Sequence, residues 1–365
     1  MAQRITADTT LTQLAEPDRY RACTWNLAAD AEKRRYWIGL FRWHFPKLLE
    51  EAARDAADRG ADVDAVTARG EQARATFEAH LDRLLAEAET YDWLDIMQIC
   101  LERERVLRAV GIDDPYRLAK SRENEQALGV LPGLLAELDA LDERARHEAV
   151  TRGVFAGNIF DLGATKTVER FRDERVDFRA TLGELKARPW LVDDHDAWLD
   201  RLRGPAHRAA LMFVDNAGPD IVLGMLPLAR ELLKRGTRVI LAANTDPSLN
   251  DITHAELVPL LDRVAALDPL VRDASANGQL TALADGNGAP LIDLTRLDPS
   301  FVAAVAAEPI DLVVIEGMGR ALESNFNASL TCEVLKVAMI KDPGVGEALG
   351  GELYDLVLRY ERGAG

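Results

Sequence analysis

The chain changes texture part-way along. From residue 30 to about 150, apolar positions recur at three- and four-residue spacing in an Ala-, Glu- and Arg-rich background, as in "EEAARDAADRGADVDAVTARGEQARATFEAHLDRLLAEAE" and "LGVLPGLLAELDALDERARHEAV". That period predicts amphipathic helices whose apolar stripes pack into a core, with Trp37, Trp43 and Trp93 as anchors. From about 205, short continuous apolar runs alternate with amphipathic stretches. "AALMFV" (209–214) and "TRVILAAN" read as strands, with "IVLGMLPLARELLKRG" between them as a helix closed at Gly236. "HAELVPLLDRVAAL" and "DPSFVAAVAA" read as helices, and "APLIDL", "DLVVIEG", "CEVLKVAMIK" and "YDLVLRY" as strands. The alternation predicts an α/β fold: a three-layer α/β/α arrangement around a mostly parallel sheet over 151–365, preceded by an all-helical domain over 1–150.

Composition narrows the partners. The 365 residues are 48% hydrophobic and carry a formal net charge of -17. A field of that sign repels nucleic acid and anionic membrane, so neither is expected as a partner. A small anionic substrate would need a locally positive site. Cys23, Cys100 and Cys332 are scattered, with no CxxC or Cys/His spacing, which speaks against a thiolate zinc site and for a reducing compartment. The N-terminus lacks an apolar leader, and no run approaches membrane-spanning length; a cytoplasmic protein is expected, with the N-terminal helices free to pair two chains.

Ligands of open α/β sheets bind beyond the carboxyl ends of the strands. Asp215 and Asn216 follow the first strand; Asn244, Asp246, Asn250 and Asp251 follow the second; Glu316, Gly317, Gly319 and Arg320 follow "DLVVI"; Lys341 follows "VLKVAMI". Asp and Asn oxygens without thiolates or paired histidines suit a hard or borderline divalent ion. Taken singly, the Asp215–Asn216 pair reads equally as a turn, Asp251 as a helix N-cap, His254 as a helix-face residue, Lys341 as a surface partner of Asp342, and "DDHD" (193–196) as a solvated acidic loop. The Gly317–Gly319 pair does not complete a dinucleotide fingerprint and reads as close backbone approach or a tight turn. GxSxG, HExxH and GxxxxGK[ST] are all absent.

In combination, "GIDDPYRLAKSRENEQALGVLPGLLAELD" (111–139), "VFAGNIFDLGA" (154–164), "FVDNAGPDIVLGMLPLARELLKRGTRVILAANTDPSLNDIT" (213–253), "PLIDL" (290–294), "DLVVIEGMGRALESN" (311–325) and "VAMIKD" (337–342) resemble the damage-control phosphatases. The resemblance is to the branch of stand-alone plant enzymes and of the phosphatase domain fused to pantothenate-kinase-like proteins. It implies one divalent ion (Mg, Mn, Co or Ni) held by Asp215, Asn216 and Asp251, with Asn158 and Lys341 lining the phosphate pocket. Asp161, Glu316 and Arg320 lie in matching motifs without an assigned role, Glu316 being a candidate general acid. The implied reaction is hydrolysis of a phosphomonoester of a small phosphorylated metabolite, 4'-phosphopantetheine and its oxidised forms or sugar phosphates. The sequence also leaves two other classes open: methyl transfer from S-adenosylmethionine to protein carboxylates, and a non-catalytic binding module.

Overall fold

In a computed structural model, the structure describes residues 7–159 and 178–364. Asp161 lies outside the described residues.

Among the described residues the first α-helices are α1 (Ala31–Asp58), α2 (Val63–Ala86), α3 (Ile96–Ala109), α4 (Arg117–Asp139) and α5 (Glu143–Asn158). Four of them start at an aspartate, Asp30, Asp62, Asp95 and Asp142, whose side chain accepts from backbone N–H groups of the first turn. The heptad-like stripes become core: Trp37, Phe41, Phe45, Phe77 and Leu81 are buried together, with the Phe45 and Phe77 rings 4.9 Å apart. Trp43 and Trp93 are only half buried.

A seven-stranded sheet follows: β1 (Val192–Asp193), β2 (Ala209–Phe213), β3 (Arg238–Ala243), β4 (Leu280–Ala284), β5 (Ile310–Glu316), β6 (Glu333–Met339) and β7 (Leu356–Glu361). Its order is β1-β7-β6-β5-β2-β3-β4. From β6 through β4 all pairings are parallel, and β7 runs antiparallel to β6. The sheet is covered on both faces, so β2 is apolar throughout and buried at every position. Period two still sorts it: Ala209, Leu211 and Phe213 join the apolar cluster that holds α1–α3, while Ala210, Met212 and Val214 join the one that holds α4, α5 and the helix His254–Leu267. The helical region and one sheet face thus share one apolar cluster.

Two sequence expectations are corrected. "APLIDL" is not a strand; the fourth strand is the weakly β-prone "LTALA", an edge strand only partly buried. Pro290 lacks an N–H, and the carbonyls of Ala289, Leu291 and Ile292 are satisfied by the side-chain amides of Asn287 and Asn325 instead of a neighbouring strand. "DDHD" is not a solvated loop either. Asp193 sits in β1 and accepts a forked pair of bonds from Arg188, and His195, the first residue of a helix, is fully buried.

Two π-helical segments follow central strands: Asp220–Met225 after β2, which runs on into the helix Leu226–Lys234, and Met318–Ser324 after β5. These wide turns stand at the carboxyl ends of adjacent central strands and carry Asp220 and Arg320 to one rim.

Candidate active site

β2 delivers Asp215 and Asn216 to the rim, and β3 delivers Asn244 and the loop through Asp251. The two loops are tied by their backbones. Ile252 N–H donates to Asp215 O at 2.9 Å and Ala217 N–H to Asn250 O at 2.9 Å, so Asn216 faces Asp251 across a short antiparallel bridge. This pairing brings the side chains of Asp215, Asn216 and Asp251 to one place, all at most 4% exposed. Glu316 comes from the end of β5, Asp220 from the first π turn and Asn158 from the end of α5.

Asn158 links the group. Its amide donates to Glu316 at 2.5 Å, to Asp220 at 3.2 Å and to Asp215 at 3.4 Å. Its side-chain oxygen accepts from Met339 N–H, and its carbonyl accepts from Lys341 Nζ at 2.7 Å. Lys341 is therefore fully buried and not a surface lysine. Asn216 donates to both Asp215 and Asp220 at 2.8 Å, and Glu316 accepts from Asp215 N–H at 2.9 Å. Arg320, also buried, donates to Asp215, to Asp251 at 2.9 Å and to Asn244 Oδ1 at 3.0 Å.

Burial drives the electrostatics. It pushes the Glu316 carboxyl well above the usual carboxylate range, and the nearby Asp220 adds to the rise. Burial raises Asp220 as well, against the opposing pull of Lys341. Asp215, Asp220 and Glu316 each offer an oxygen within 4.8 Å of the others. Asp220 Oδ1 has no hydrogen-bond partner although it is buried. Three buried carboxyl groups this close are costly unless a proton held between Glu316 and Asp220 or a cation offsets them, and the all-oxygen donor set fits a hard divalent ion.

Gly317 explains one close approach. Its φ of +101° is a glycine conformation, and a Cβ there would lie 2.3 Å from the Asp215 carboxylate. The glycine makes room for Asp215 itself. Gly319 is equally tight, against the Pro290 carbonyl.

Asp215, Asn216 and Asp251 line a narrow, partly open cleft. Its opposite wall comes from α1 and α3: Trp37, Leu40, Phe41, Ile96 and Arg103. Asp220, Glu316 and Asn158 form the layer beneath, with no exposure at all. Asp246 is exposed, and His254 is the first residue of its helix and half buried; neither joins the group. Sequence reading missed Asp220. Its signal was an acidic residue placed directly before the all-apolar "IVLGML", where a buried helix start has no use for a charge of its own.

The signature described as "Damage-control phosphatase ARMT1-like domain" matches residues 41–357, and the chain belongs to this family of phosphatase enzymes. It is 36% identical to a damage-control phosphatase of Arabidopsis thaliana, over 94% of both chains. It is 41% identical to pantothenate kinase 2 of Arabidopsis thaliana and 34% to the 4'-phosphopantetheine phosphatase of Mus musculus, each over 95% of this chain. The chain spans only 41% and 48% of the length of those two relatives. In fold it is similar to a DUF89 family protein from Pyrococcus horikoshii, with a TM-score of 0.62 at 18% identity over 88% of this chain and 96% of that one. Among the described residues no helix is long and apolar enough to cross a membrane.

Proposed function

We propose that the chain is a divalent-metal-dependent phosphatase acting on a phosphomonoester of a small metabolite. The observation that carries this reading is the buried carboxylate group at the strand rim, with Asp220 Oδ1 unpartnered, opening through Asp215, Asn216 and Asp251 into the cleft. Asp215 is common to both ligand sets that the residues offer, Asn216 and Asp251 at the cleft and Asp220 and Glu316 beneath. Mg, Mn, Co and Ni all suit such oxygen donors. A bound divalent ion would supply charge to polarise a phosphoryl oxygen and to offset the charge that develops during transfer.

The chain's own residues do the rest. Arg320, held between Asp215 and Asp251, and Lys341, held by Asn158, bring positive charge to a rim that would otherwise repel a phosphate. Asn158 orients Glu316, Asp220 and Asp215 through one amide. Trp37, Leu40, Phe41 and Ile96 make an apolar stretch of the cleft wall, which suits a substrate with an extended, partly apolar body. That wall favours 4'-phosphopantetheine and its oxidised forms over sugar phosphates, and the name of the mouse relative agrees.

The test is hydrolysis of an aryl phosphate across added Mg²⁺, Mn²⁺, Co²⁺ and Ni²⁺ by wild type and by Asp251→Ala. Metal-dependent turnover, lost by roughly a thousandfold or more in the folded variant, is expected for removal of a group at the reacting centre. Full activity of Asp251→Ala would remove the cleft-facing assignment.

A further inference from the structure

The motif "LAKSREN" (118–124) lies on α4, away from the rim strands, and the site described above does not use it. Lys120 and Asn124 stand four residues apart and so share a helix face. Each reaches a different one of the two loops that carry the cleft-facing side chains.

Lys120 has a side chain only 1% exposed, an unusual place for an ammonium group. Its Nζ lies 2.8 Å from Glu256 Oε1, 2.9 Å from Asp114 Oδ2, and 3.5 Å from the carbonyl of Asp251, at the edge of bonding range. Glu256 in turn closes the capping box that starts the helix His254–Leu267. It accepts from Thr253 N–H at 2.9 Å and from Thr253 Oγ1 at 2.8 Å. The loop 251–253 is thereby pinned to α4 through one buried ion cluster. Asn124 acts on the other loop. Its Oδ1 accepts from Gly218 N–H at 2.7 Å, in the turn that follows Asp215–Asn216. Gly218 adopts a φ of +74°, and a Cβ there would meet Glu123 on the same helix at 2.7 Å, so α4 lies directly against this turn. At its first residue, just before this turn, α4 is also tied to α1 by Arg117, which lies 2.7 Å from Asp55 Oδ1. α1 is the wall that faces the cleft.

We propose that Lys120 and Asn124 are positioning residues: one turn of α4 clasps the Asp215–Asn216 turn and the Asp251 loop in register, so that their oxygens converge on a common divalent ion. A buried ion cluster adds little net stability against an apolar replacement but fixes geometry well. That geometry is what a ligand set drawn from two loops requires. Groups that orient metal ligands from outside typically control affinity by about 10–100-fold. The inference rests on the phosphatase reading, and it concerns how the ligands are held rather than what they catalyse.

The experiment titrates Mn²⁺ calorimetrically into wild type, Lys120→Met, Lys120→Arg and Asn124→Ala, and follows aryl phosphate hydrolysis at low and at saturating Mn²⁺. Lys120→Met and Asn124→Ala are expected to weaken Mn²⁺ binding by about 10–100-fold, with kcat returning close to wild type at saturation. Lys120→Arg, which keeps a cation within reach of Glu256, is expected to lose less. A solely structural role would lower melting temperature without moving the Mn²⁺ affinity of the folded chain; that result in both variants overturns the clasp. If Lys120→Met does not fold, Asn124→Ala, at a half-buried position, decides alone. A wild-type chain that neither binds Mn²⁺ nor turns over overturns the phosphatase reading along with the clasp. A wild type that does both, with variants of unchanged affinity, overturns the clasp alone.

Discussion

Arg320 Nη2 donates to Asp251 Oδ2 at 2.9 Å, and its other terminal nitrogen reaches Asp215. One guanidinium thus offsets two buried carboxylates that come from different strands. Breaking a buried ion pair by removing one partner typically costs about 3–5 kcal/mol, because the remaining charge stays desolvated. Arg320→Met should therefore melt well below wild type. Mn²⁺ should restore part of the loss, because a ligand that binds only the folded chain stabilises it. Thermal unfolding with and without Mn²⁺ reads both effects, and unchanged melting would show that charge compensation is not the task of Arg320.

Asp220→Asn tests the layer beneath. The substitution keeps the shape and removes a carboxylate whose Oδ1 lacks a partner. Metal affinity should fall by about 10–100-fold whether Asp220 touches the ion or only orients its ligands. Stability without added metal should hold or rise, since a buried charge is gone. Calorimetric Mn²⁺ titration paired with a melting curve checks the two directions, and a variant that melts lower yet binds metal normally contradicts both.

Gly317→Ala introduces a single methyl group at φ +101°, 2.3 Å from the Asp215 carboxylate. Backbone strain of that kind costs on the order of 1–3 kcal/mol, and the clash must also displace Asp215. Activity should fall more steeply than stability. Parallel measurement of kcat/KM and urea unfolding separates them, and equal losses would reduce Gly317 to a turn residue.

Much of this arrangement was legible before the fold was known, and what was not had physical causes. β2, β3, β5 and β6 announce themselves because strands covered on both faces are rich in apolar residues, the buried Lys336 within β6 being an exception, and a polar residue at the end of such a run stands out. β4 was hidden because an edge strand carries no such demand, while "APLIDL" misled because its apolar side chains are buried without a ladder. That Asp215, Asn216 and Asp251 lie together follows from backbone pairing between two loops, which no local pattern encodes. Lys120 and Asn124 were invisible for a related reason. Their roles depend on which helix packs over which turn, and a lysine or asparagine on an amphipathic helix normally reads as solvated.

Asp285 gives a pH test away from the candidate metal site. It follows β4, is buried, and its carboxyl is pushed up to about 7, with the Asn287 N–H opposing the rise. A carboxyl raised on folding favours the protonated form in the native state. Its contribution is complete below the unfolded value near 4 and is lost as pH climbs through about 7. Asp285→Asn retains an acceptor for Asn287 N–H without the titration. The variant should match wild type near pH 4 and exceed it at pH 8, by on the order of 4 kcal/mol. Urea unfolding across that range measures the gap, and a constant difference at all pH values would rule out Asp285 as its source.

Trp37 separates the chemistry of the rim from recognition along the wall. It is 5% exposed and lines the cleft from α1, opposite Asp215 and Asp251. A substrate with a long body would contact it, whereas a small aryl phosphate would engage the rim alone. Truncating a buried aromatic at a contact typically costs about 2 kcal/mol or more of binding. Trp37→Leu leaves an apolar wall and should raise KM for 4'-phosphopantetheine by roughly tenfold or more, while kcat for the aryl phosphate changes little. A uniform fall in kcat for both substrates would place Trp37 in the folding of the rim, and an unchanged KM for 4'-phosphopantetheine would direct the search toward shorter phosphates that never reach the helical wall.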